Sequence, residues 1–492
     1  MRIALVHYHL RRGGVTSVIL NQARALAEAG TGLLIIAGEA APDGMAFPFA
    51  LVEALAYDRS GTEPAPGDTA EGAQRLADDI LHAMERRWGG AADIVHVHNP
   101  LIQKNSLLIP ALSILGGRGI KLFLQNHDLA EDFRPDVYTG NVEYPVDCHY
   151  GVINSRDYHF LGRAGLRSEG LHLIPNEVAP LRASPGLERT RYLYPVRAIR
   201  RKNIGEALLL SLFIPKGRTV AITLPPSEKD SVQYRRWTAL AASLNLPVEF
   251  ELGLNHNLAD LLGTSVCALS TSVKEGFGFS FLEPWTAGRS LVGRRIDYVC
   301  GDFEQAGISF DGLYSSLEIK RNQIAADRAD GKADGKADGK ADGKADGSLE
   351  QKMQNAMRRI YASFGLEASD RIMQDIADEL AALETIDFGR LDEESQEAVI
   401  RNLNESDQAR RNIAELNPLL ERLAIREDDA GLIEANRLAI EKHYGRERIV
   451  ELLLKIYQSV MDHPVSQKIS KPALLELYLD PRRLSLVGIS DG

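Results

Sequence analysis

The stretch Glu275-Gly-Phe-Gly-Phe-Ser-Phe-Leu-Glu283 lies between an apolar run, Val266-Cys-Ala-Leu-Ser270, and a helical pattern that we expect over residues 278–287. A strand, a glycine-bearing loop and a helix N-terminus therefore follow one another. This order suits phosphate binding, because backbone N–H groups and the helix dipole point at the anion and glycine permits close approach. A carboxylate would repel a diphosphate, so Glu275 and Glu283 are predicted to accept hydrogen bonds from sugar and ribose hydroxyls. Taken alone, Glu283 could instead complement a helix start, and Glu275 could lie in solvent.

Outward from this stretch, short apolar runs alternate with amphipathic helical patterns in two series. Such alternation builds mostly parallel sheets with helices on both faces. With 492 residues, the chain is long enough for two α/β domains and helical additions. The predicted strands are residues 2–7, 33–37, 93–98, 121–126 and 151–154 in the first series, and 192–198, 219–224, 248–252, 266–270 and 290–294 in the second.

The predicted domains are residues 1–180, residues 181–325, a low-complexity insertion at 326–348, and a helical region at 349–492. We expect the helical region to complete the second domain and to pack back on the first. Prolines and small residues between 176 and 190 suit a hinge. The insertion repeats Ala-Asp-Gly-Lys, which is too glycine-rich for a stable helix and too polar for burial. Calcium binding is the sharper alternative, but the spacing and closing Glu of an EF-hand loop are missing.

Composition restricts the partners. The formal net charge of −11 argues against nucleic acid or an anionic membrane surface as the main partner. No apolar run is long enough to span a bilayer, although peripheral contact through an amphipathic helix stays open. Three scattered cysteines and an N-terminus that starts with a strand pattern predict a cytoplasmic protein without disulfides or a signal peptide. The oligomeric state is left undetermined.

The spacing of Glu275 and Glu283, with the Glu-Gly-Phe-Gly core, resembles the signature of the family-4 retaining glycosyltransferases (group 1), which have the GT-B fold. The resemblance implies two Rossmann-like domains that face each other across a cleft, the first on the acceptor side and the second binding the donor nucleotide. It implies that Glu275 contacts the donor sugar and Glu283 the ribose. The intervening Phe277, Gly278 and Phe279 are then donor-binding as well.

Two cations stand where this family neutralises the donor diphosphate, namely Arg197 and Lys202. Arginine offers a planar fork and lysine a point charge to phosphate oxygens. Fixed cations would also favour the transition state, because the leaving diphosphate gains negative charge. The alternative is an exposed basic cluster, since Arg200 and Arg201 are adjacent.

Two landmarks of the first domain match the same family. Gly13-Gly14 occupies the loop between the first strand and helix, at the ligand-binding edge of a parallel sheet. His127 closes another strand and would lie against the donor sugar and the acceptor, although a strand-end histidine is often structural. Asp93-Ile-Val-His-Val-His98 and Leu173-Ile-Pro-Asn176 also look like family segments, and we interpret them as fold markers.

The resemblance implies a hexosyltransferase that moves a sugar from a UDP-, GDP- or ADP-sugar to a hydroxyl acceptor with retention, the acceptor being a small soluble sugar or a glycoconjugate. We expect no cofactor and no metal, because no histidines stand at ligand spacing. A retaining phosphorylase of the same fold and a non-catalytic nucleotide-sugar-binding module stay open. Pro195-Val196 and Gly293-Arg-Arg-Ile-Asp297 depart from the family pattern, so the donor and the acceptor cannot be copied from another member.

Overall fold

The computed structural model describes residues 1–58, 66–183, 188–227, 230–324, 348–424, 428–483 and 485–488. The chain divides into two compact units. Among the described residues, unit 1 comprises Met1–Ala179 and Ala439–Asp480, and unit 2 comprises Pro180–Leu438 and the residues between 481 and 488. The Ala-Asp-Gly-Lys repeat lies outside the described residues.

The elements are numbered in chain order. Up to residue 179 the structure shows β1 (Arg2–His7), α1 (Gly14–Glu28), β2 (Gly32–Ala37), β3 (Phe49–Leu51), α2 (Pro66–Trp88), β4 (Ile94–His98), α3 (Leu108–Gly117), β5 (Leu122–Asn126), β6 (His149–Val152), α4 (Ser155–Arg163) and β7 (Leu171–Leu173). In the described part of unit 1 these strands form one parallel sheet of seven, in the order β3-β2-β1-β4-β5-β6-β7.

Unit 2 contains a second parallel sheet, a short antiparallel ribbon and the helices around them. Its elements are β8 (Arg191–Arg197), α5 (Ile204–Ser211), β9 (Thr219–Leu224), α6 (Ser231–Ser243), β10 (Val248–Glu249), α7 (Leu258–Gly263), β11 (Ser265–Ser270), α8 (Phe279–Thr286), β12 (Leu291–Arg294), α9 (Asp297–Gln305), β13 (Leu313–Tyr314), β14 (Glu318–Lys320), α10 (Arg321–Ile324), α11 (Leu349–Ser363), α12 (Asp370–Ala381), β15 (Thr385–Asp387), α13 (Glu393–Glu405), α14 (Asp407–Leu416) and α15 (Leu419–Ala424). The sheet order is β10-β9-β8-β11-β12-β13, and β14 pairs with β15 in a separate antiparallel ribbon.

The last helices are α16 (Ala430–Tyr444), α17 (Arg446–Asp462) and α18 (Lys471–Tyr478). Successive side chains of a strand point to opposite faces, so the sheet of unit 1 has two apolar faces to cover. On one face Ile3 and Leu5 share a core with α1 and with Tyr457 of α17. On the other face Ala4 and Val6 share a core with α2, α3 and Leu474 of α18. The C-terminal segment thus contributes to both cores of unit 1.

The end of α1 shows why the local sequence produces this fold. Gly30 follows the helix with a φ of +75°, the left-handed conformation that favours glycine after a helix. Its N–H donates to the carbonyl of Ala27, and the N–H of Thr31 donates to Leu26. The chain can therefore turn directly into β2.

The predicted α/β architecture, with two Rossmann-like sheets and a helical C-terminal region, is confirmed. The strand predicted over 248–252 is shorter, Val248–Glu249, and the C-terminal region also contains the strand β15. The edge strands β3, β7 and β13 were not predicted, because two or three residues are too few to show a period. Across the described residues, no helix combines the length and apolarity needed to span a bilayer.

Candidate functional site

Glu275 lies in the loop after β11, and its carboxylate is bound by two cations. Lys202 forms an ion pair with one carboxylate oxygen, and Arg201 Nη1 lies 3.1 Å from the other. The same Arg201 nitrogen donates to the carbonyl of Lys274 at 2.7 Å. Glu275 is almost completely buried, with 6% of its surface exposed. A buried charge needs such pairing, because desolvation would otherwise favour its neutral form.

Backbone hydrogen bonds hold the loop and the two cations together. Arg201 and Lys202 belong to a 3₁₀ turn after β8, and the Arg201 carbonyl accepts from the N–H of Val273 at 3.0 Å. The Lys202 carbonyl accepts from Tyr194 Oη at 2.8 Å and from Thr271 Oγ1 at 3.0 Å. Segments about seventy residues apart in the chain are thereby fixed to each other. Their charged side chains meet because their backbones do.

Tyr298, on α9, holds the backbone of Glu275 from a third segment. Its hydroxyl accepts from the Glu275 N–H at 3.2 Å and donates to the Glu275 carbonyl. Both backbone polar groups of Glu275 are therefore satisfied by one side chain. Glu275 is therefore held at its side chain by two cations and at its main chain by the Tyr298 hydroxyl.

The charges of this cluster follow from burial and pairing. Burial alone would raise the pKa of Glu275, but Lys202 and Arg201 outweigh it and hold that pKa at about 2. Burial lowers the pKa of the Lys202 ammonium, and the attraction of Glu275 opposes this effect. Glu275 is consequently ionised at neutral pH. In that form both of its carboxylate oxygens accept hydrogen bonds, which suits the binding of several hydroxyls.

Glu283 has a different environment. It is half-buried in α8, and no residue in the described part of the chain donates a hydrogen bond to its carboxylate. Burial raises the pKa of Glu283 to about 7. A partly desolvated carboxylate without an internal partner is poised to gain a hydrogen bond from a ligand hydroxyl.

The residues between the two glutamates fix the entry into α8. Gly278 is the N-cap with a φ of +94°, and an added Cβ would lie 2.7 Å from Val299, so glycine is required there. Phe277 is buried and packs edge-on against Phe279, with ring centroids 5.0 Å apart. The aromatic pair anchors the loop and leaves Phe279 half-buried.

Arg197 does not join this cluster. It ends β8, is exposed, and its Nη1 donates to the carbonyl of Pro225 at 3.0 Å. Among the described residues the cations on Glu275 are Lys202 and Arg201. Sequence reasoning named Lys202 but passed over Arg201 as part of a basic run. Its position directly before Lys202 was the available signal.

In unit 1, His127 follows β5 and is buried. The side-chain oxygen of Asn99 accepts from the N–H of His127 at 3.1 Å and from the N–H of Asp128 at 2.9 Å. His127 Nε2 lies 3.2 Å from Nδ1 of His98, the last residue of β4. Burial lowers the pKa of His127 to about 4, although Asp128 opposes the shift. His127 is therefore neutral at physiological pH.

Gly13 and Gly14 precede and begin α1 at the same edge of the sheet. Gly13 has an extended φ of 176° that any residue adopts. An added Cβ there would meet only the Arg11 carbonyl, 3.9 Å away, and at Gly14 no described atom within 4 Å. Neither glycine is thus required by its own surroundings. Within the described residues, no side chain caps α1 and its first turn contains no acid.

Comparison with known proteins places these features in context. No family model matches the chain. A mannosylglucosyl-3-phosphoglycerate synthase of Petrotoga mobilis is 25% identical over 338 residues, which is 60% of this chain. The chain spans 65% of the length of this curated relative.

Several solved structures resemble most of the chain. A glycosyltransferase from Rickettsia africae is 12% identical with a TM-score of 0.53, covering 94% of this chain and 99% of its own. Anabaena HepE in complex with UDP is 12% identical with a TM-score of 0.53, covering 93% and 100%. Sucrose-phosphate synthase from Thermosynechococcus elongatus is 13% identical with a TM-score of 0.50, covering 93% and 98%. The chain has the GT-B glycosyltransferase fold.

In this GT-B chain the predicted residues fall into two groups. The residues of unit 2 follow two neighbouring strands: Arg197 ends β8 and Lys202 lies in the turn after it, whereas Glu275, Phe277 and Gly278 lie in the loop after β11, and Phe279 and Glu283 lie in α8. Gly13, Gly14 and His127 lie at the carboxyl edge of the sheet in unit 1. Open α/β sheets bind ligands at that edge, so both groups occupy positions suited to recognition.

Proposed function

We propose that the chain is a retaining glycosyltransferase that moves a hexose from a nucleoside diphosphate sugar to a hydroxyl acceptor. The observation that carries this proposal is the ionised Glu275 between Lys202 and Arg201, followed in the same segment by Glu283, whose carboxylate has no hydrogen-bond donor among the described residues. A nucleotide sugar has the matching chemistry, namely an anionic diphosphate flanked by two sets of hydroxyls. The neighbouring structure of HepE contains UDP, which supports a nucleotide donor.

In the proposed reaction Lys202, with Arg197 or Arg201, binds the diphosphate. The bond from the anomeric carbon to the diphosphate oxygen breaks, and the nucleoside diphosphate leaves with an added negative charge. Fixed cations stabilise that charge more in the transition state than in the ground state. Glu275 accepts from sugar hydroxyls and Glu283 from the ribose, so the carboxylates orient the donor while the cations lower the barrier.

The acceptor loses its hydroxyl proton as its oxygen bonds to the anomeric carbon. In the proposed retaining route the departing diphosphate oxygen takes that proton on the same face of the sugar. No enzyme carboxylate then forms a covalent intermediate, unlike a double-displacement glycosidase. Gly13 and Gly14 support a ligand near α1, because their missing side chains leave room that their own packing does not use.

The acceptor is proposed to be a small soluble sugar or a glycoconjugate. The curated relative is named for a product that joins sugars to a phosphoglycerate. A panel of neutral sugars and of sugars that carry a phosphate or carboxylate would therefore cover the acceptor classes. Retention is tested by NMR of the anomeric proton of the product.

The donor site is tested by thermal shift with UDP, GDP, ADP and their glucose and mannose conjugates. Selective stabilisation in the wild type that is lost in Glu283→Ala establishes the donor site, since a ligand that binds only the folded state raises its stability. Glu379→Ala, an exposed glutamate of α12 in the same unit, is the matched control and should keep the shift. Absence of a shift with every nucleotide would refute the proposal. Release of sugar 1-phosphate in phosphate buffer without nucleotide would indicate a phosphorylase instead.

A further inference from the structure

The histidine that follows β5 belongs to a row of buried imidazoles at one edge of unit 1. His7 ends β1, His98 ends β4 and His127 follows β5, and these three strands are neighbours in the sheet. Nδ1 of His98 lies 3.2 Å from Nε2 of His127, and the two rings are stacked with centroids 5.5 Å apart and planes 16° apart. From the sequence, His127 was predicted to lie against the donor sugar and His98 was interpreted only as part of a fold marker, whereas His7 was not singled out.

One nitrogen in this row has a known role. His7 Nδ1 lies 2.9 Å from the main-chain carbonyl of His98, and a carbonyl can only accept. His7 therefore donates, with its proton on Nδ1. This bond holds the main chain of His98 against β1, so the position of the His98 ring is fixed by a neighbouring strand.

The tautomer of His98 follows from its second nitrogen. Nε2 of His98 is buried and has no hydrogen-bond partner among the described residues. A buried N–H without an acceptor is rarer in folded proteins than an acceptor without a donor. The proton of neutral His98 therefore belongs on Nδ1, where it is donated to Nε2 of His127.

His127 then has only one place for its own proton. With Nε2 accepting from His98, the neutral ring has its proton on Nδ1, and no residue in the described chain accepts from that atom. Burial lowers the pKa of both histidines, that of His127 to about 4. Both rings accordingly stay neutral over the physiological range. Tyr457 of α17 braces the row, with its hydroxyl 2.8 Å from Nδ1 of His96, whose ring stacks on His98.

We propose that His98 is a positioning residue that fixes His127 as the Nδ1–H tautomer, so that His127 donates a hydrogen bond to an oxygen of the bound sugar. In the opposite tautomer Nδ1 of His127 would have a lone pair and could accept a proton from a hydroxyl. The arrangement thus assigns His127 to binding and orientation of the sugar and not to proton removal. The inference rests on the proposed function, whereas the tautomer itself does not.

The tautomer is measured by long-range ¹H–¹⁵N correlation NMR of the ligand-free full chain labelled with ¹⁵N-histidine at pH 7. We expect the Nδ1–H pattern for His127 in the wild type. His98→Asn should preserve it, because the Asn amide nitrogen can occupy the place of Nδ1 and donate. His98→Leu should abolish the bias. An Nε2–H pattern for wild-type His127, or no change in His98→Leu, would overturn the proposal.

A second histidine pair of unit 1 supplies the control. His149 Nδ1 lies 2.9 Å from His172 Nε2, with stacked rings 5.2 Å apart, on β6 and β7. His172→Asn alters a pair of the same geometry at other strands and should leave the His127 signals unchanged. Circular dichroism of each variant checks that it is folded.

Binding separates the role of His127 from the proposed function as a whole. Affinities are measured for UDP-glucose and GDP-mannose and for UDP and GDP alone. The comparison uses the nucleotide sugar and the matching nucleotide that bind the wild type. His98→Leu should lower the affinity for the nucleotide sugar about tenfold, as the loss of one hydrogen bond would, and leave the affinity for the nucleotide unchanged. His98→Asn should restore the affinity. Equal losses for the sugar conjugate and the nucleotide would overturn the sugar role, whereas a wild type that binds none of the UDP, GDP and ADP ligands of the donor panel would refute the proposed function.

Discussion

Replacing Arg294 by methionine should destabilise unit 2 strongly. Arg294 ends β12, and its side chain is only 5% exposed. Its guanidinium contacts Glu206 of α5, with Nε 2.9 Å from Oε1, and Asp387 of β15, at 2.7 and 2.8 Å. The side chains of Glu206 and Asp387 are 0% and 17% exposed. Removing the cation leaves two carboxylates with little solvent to stabilise them.

The expected cost follows from that burial. Breaking a buried ion pair by removing one partner costs about 3–5 kcal/mol, because the remaining charge is uncompensated. For a unit of this size each kcal/mol lowers the unfolding temperature by about 2–4 °C, so the loss should be roughly 6–20 °C. Methionine has a similar length, and the effect therefore reports lost charge compensation more than a cavity.

The matched control is the next residue, Arg295→Met. Arg295 pairs with Asp297 at 2.9 Å and with Glu304, but these two carboxylates are 86% and 39% exposed. Exposed pairs contribute at most about 1 kcal/mol, so this variant should be nearly as stable as the wild type. Calorimetry or urea unfolding followed by circular dichroism measures both variants.

The pH dependence gives a second check. Burial raises the pKa of Glu206 and Arg294 opposes that shift, so without Arg294 the pKa of Glu206 should rise further above that of the unfolded chain. A carboxyl group whose pKa is higher in the folded than in the unfolded chain stabilises the folded chain at low pH, and this contribution to the free energy of unfolding is lost as the pH rises. The deficit of Arg294→Met should therefore shrink from pH 8 to pH 5. A loss below about 1 kcal/mol at pH 7 would refute the reasoning, as would equal losses in both variants.

Three further predictions concern the proposed site. The carboxylate of Glu283 has a pKa of about 7, and a hydrogen bond from a ribose hydroxyl would favour its ionised form. Nucleotide affinity, measured by calorimetry, should therefore rise as the pH increases through 7 in the wild type and stay constant in Glu283→Gln. A constant affinity in the wild type would count against this role of Glu283. Gly14→Val should fold normally, since an added Cβ meets no described atom within 4 Å. It should nevertheless lose transfer activity, because the new side chain would occupy the room proposed for a ligand near α1. Full activity in a turnover assay would show that no ligand approaches there. The turnover rate should be unchanged by excess EDTA, because Lys202 and its neighbouring arginines are proposed to neutralise the diphosphate. Loss of activity in EDTA that a divalent metal restores would contradict this.

Most strands of the two sheets could be predicted because they depend on local patterns, whereas the candidate site segments were predicted from the family resemblance. β1, β8 and β9 are continuous apolar runs, as strands of a sheet covered on both faces must be. The pairing of Glu275 with Lys202 was not predicted as a contact. It depends on the turn after β8 and the loop after β11 lying side by side, which their neighbouring strands impose.

The choice between the arginines could not be made from the sequence. Arg197 and Arg201 have the same side chain within a few positions of Lys202, so their chemistry does not distinguish them. The structure does, because the Arg201 carbonyl bonds to Val273 and directs its side chain to Glu275, whereas Arg197 faces Pro225. Whether phosphate draws Arg197 toward the same site stays a prediction.

By itself the sequence determined the α/β class, the two series of strands, and the segment in which Glu275 and Glu283 stand. These follow from periodicity and spacing, which are properties of neighbouring residues. Only the tertiary structure decided the partners of Glu275, the burial of Arg294, and the contact between His98 and His127. Each of these joins segments far apart in the chain, and desolvation, which sets their charges and protons, exists only after those segments have packed.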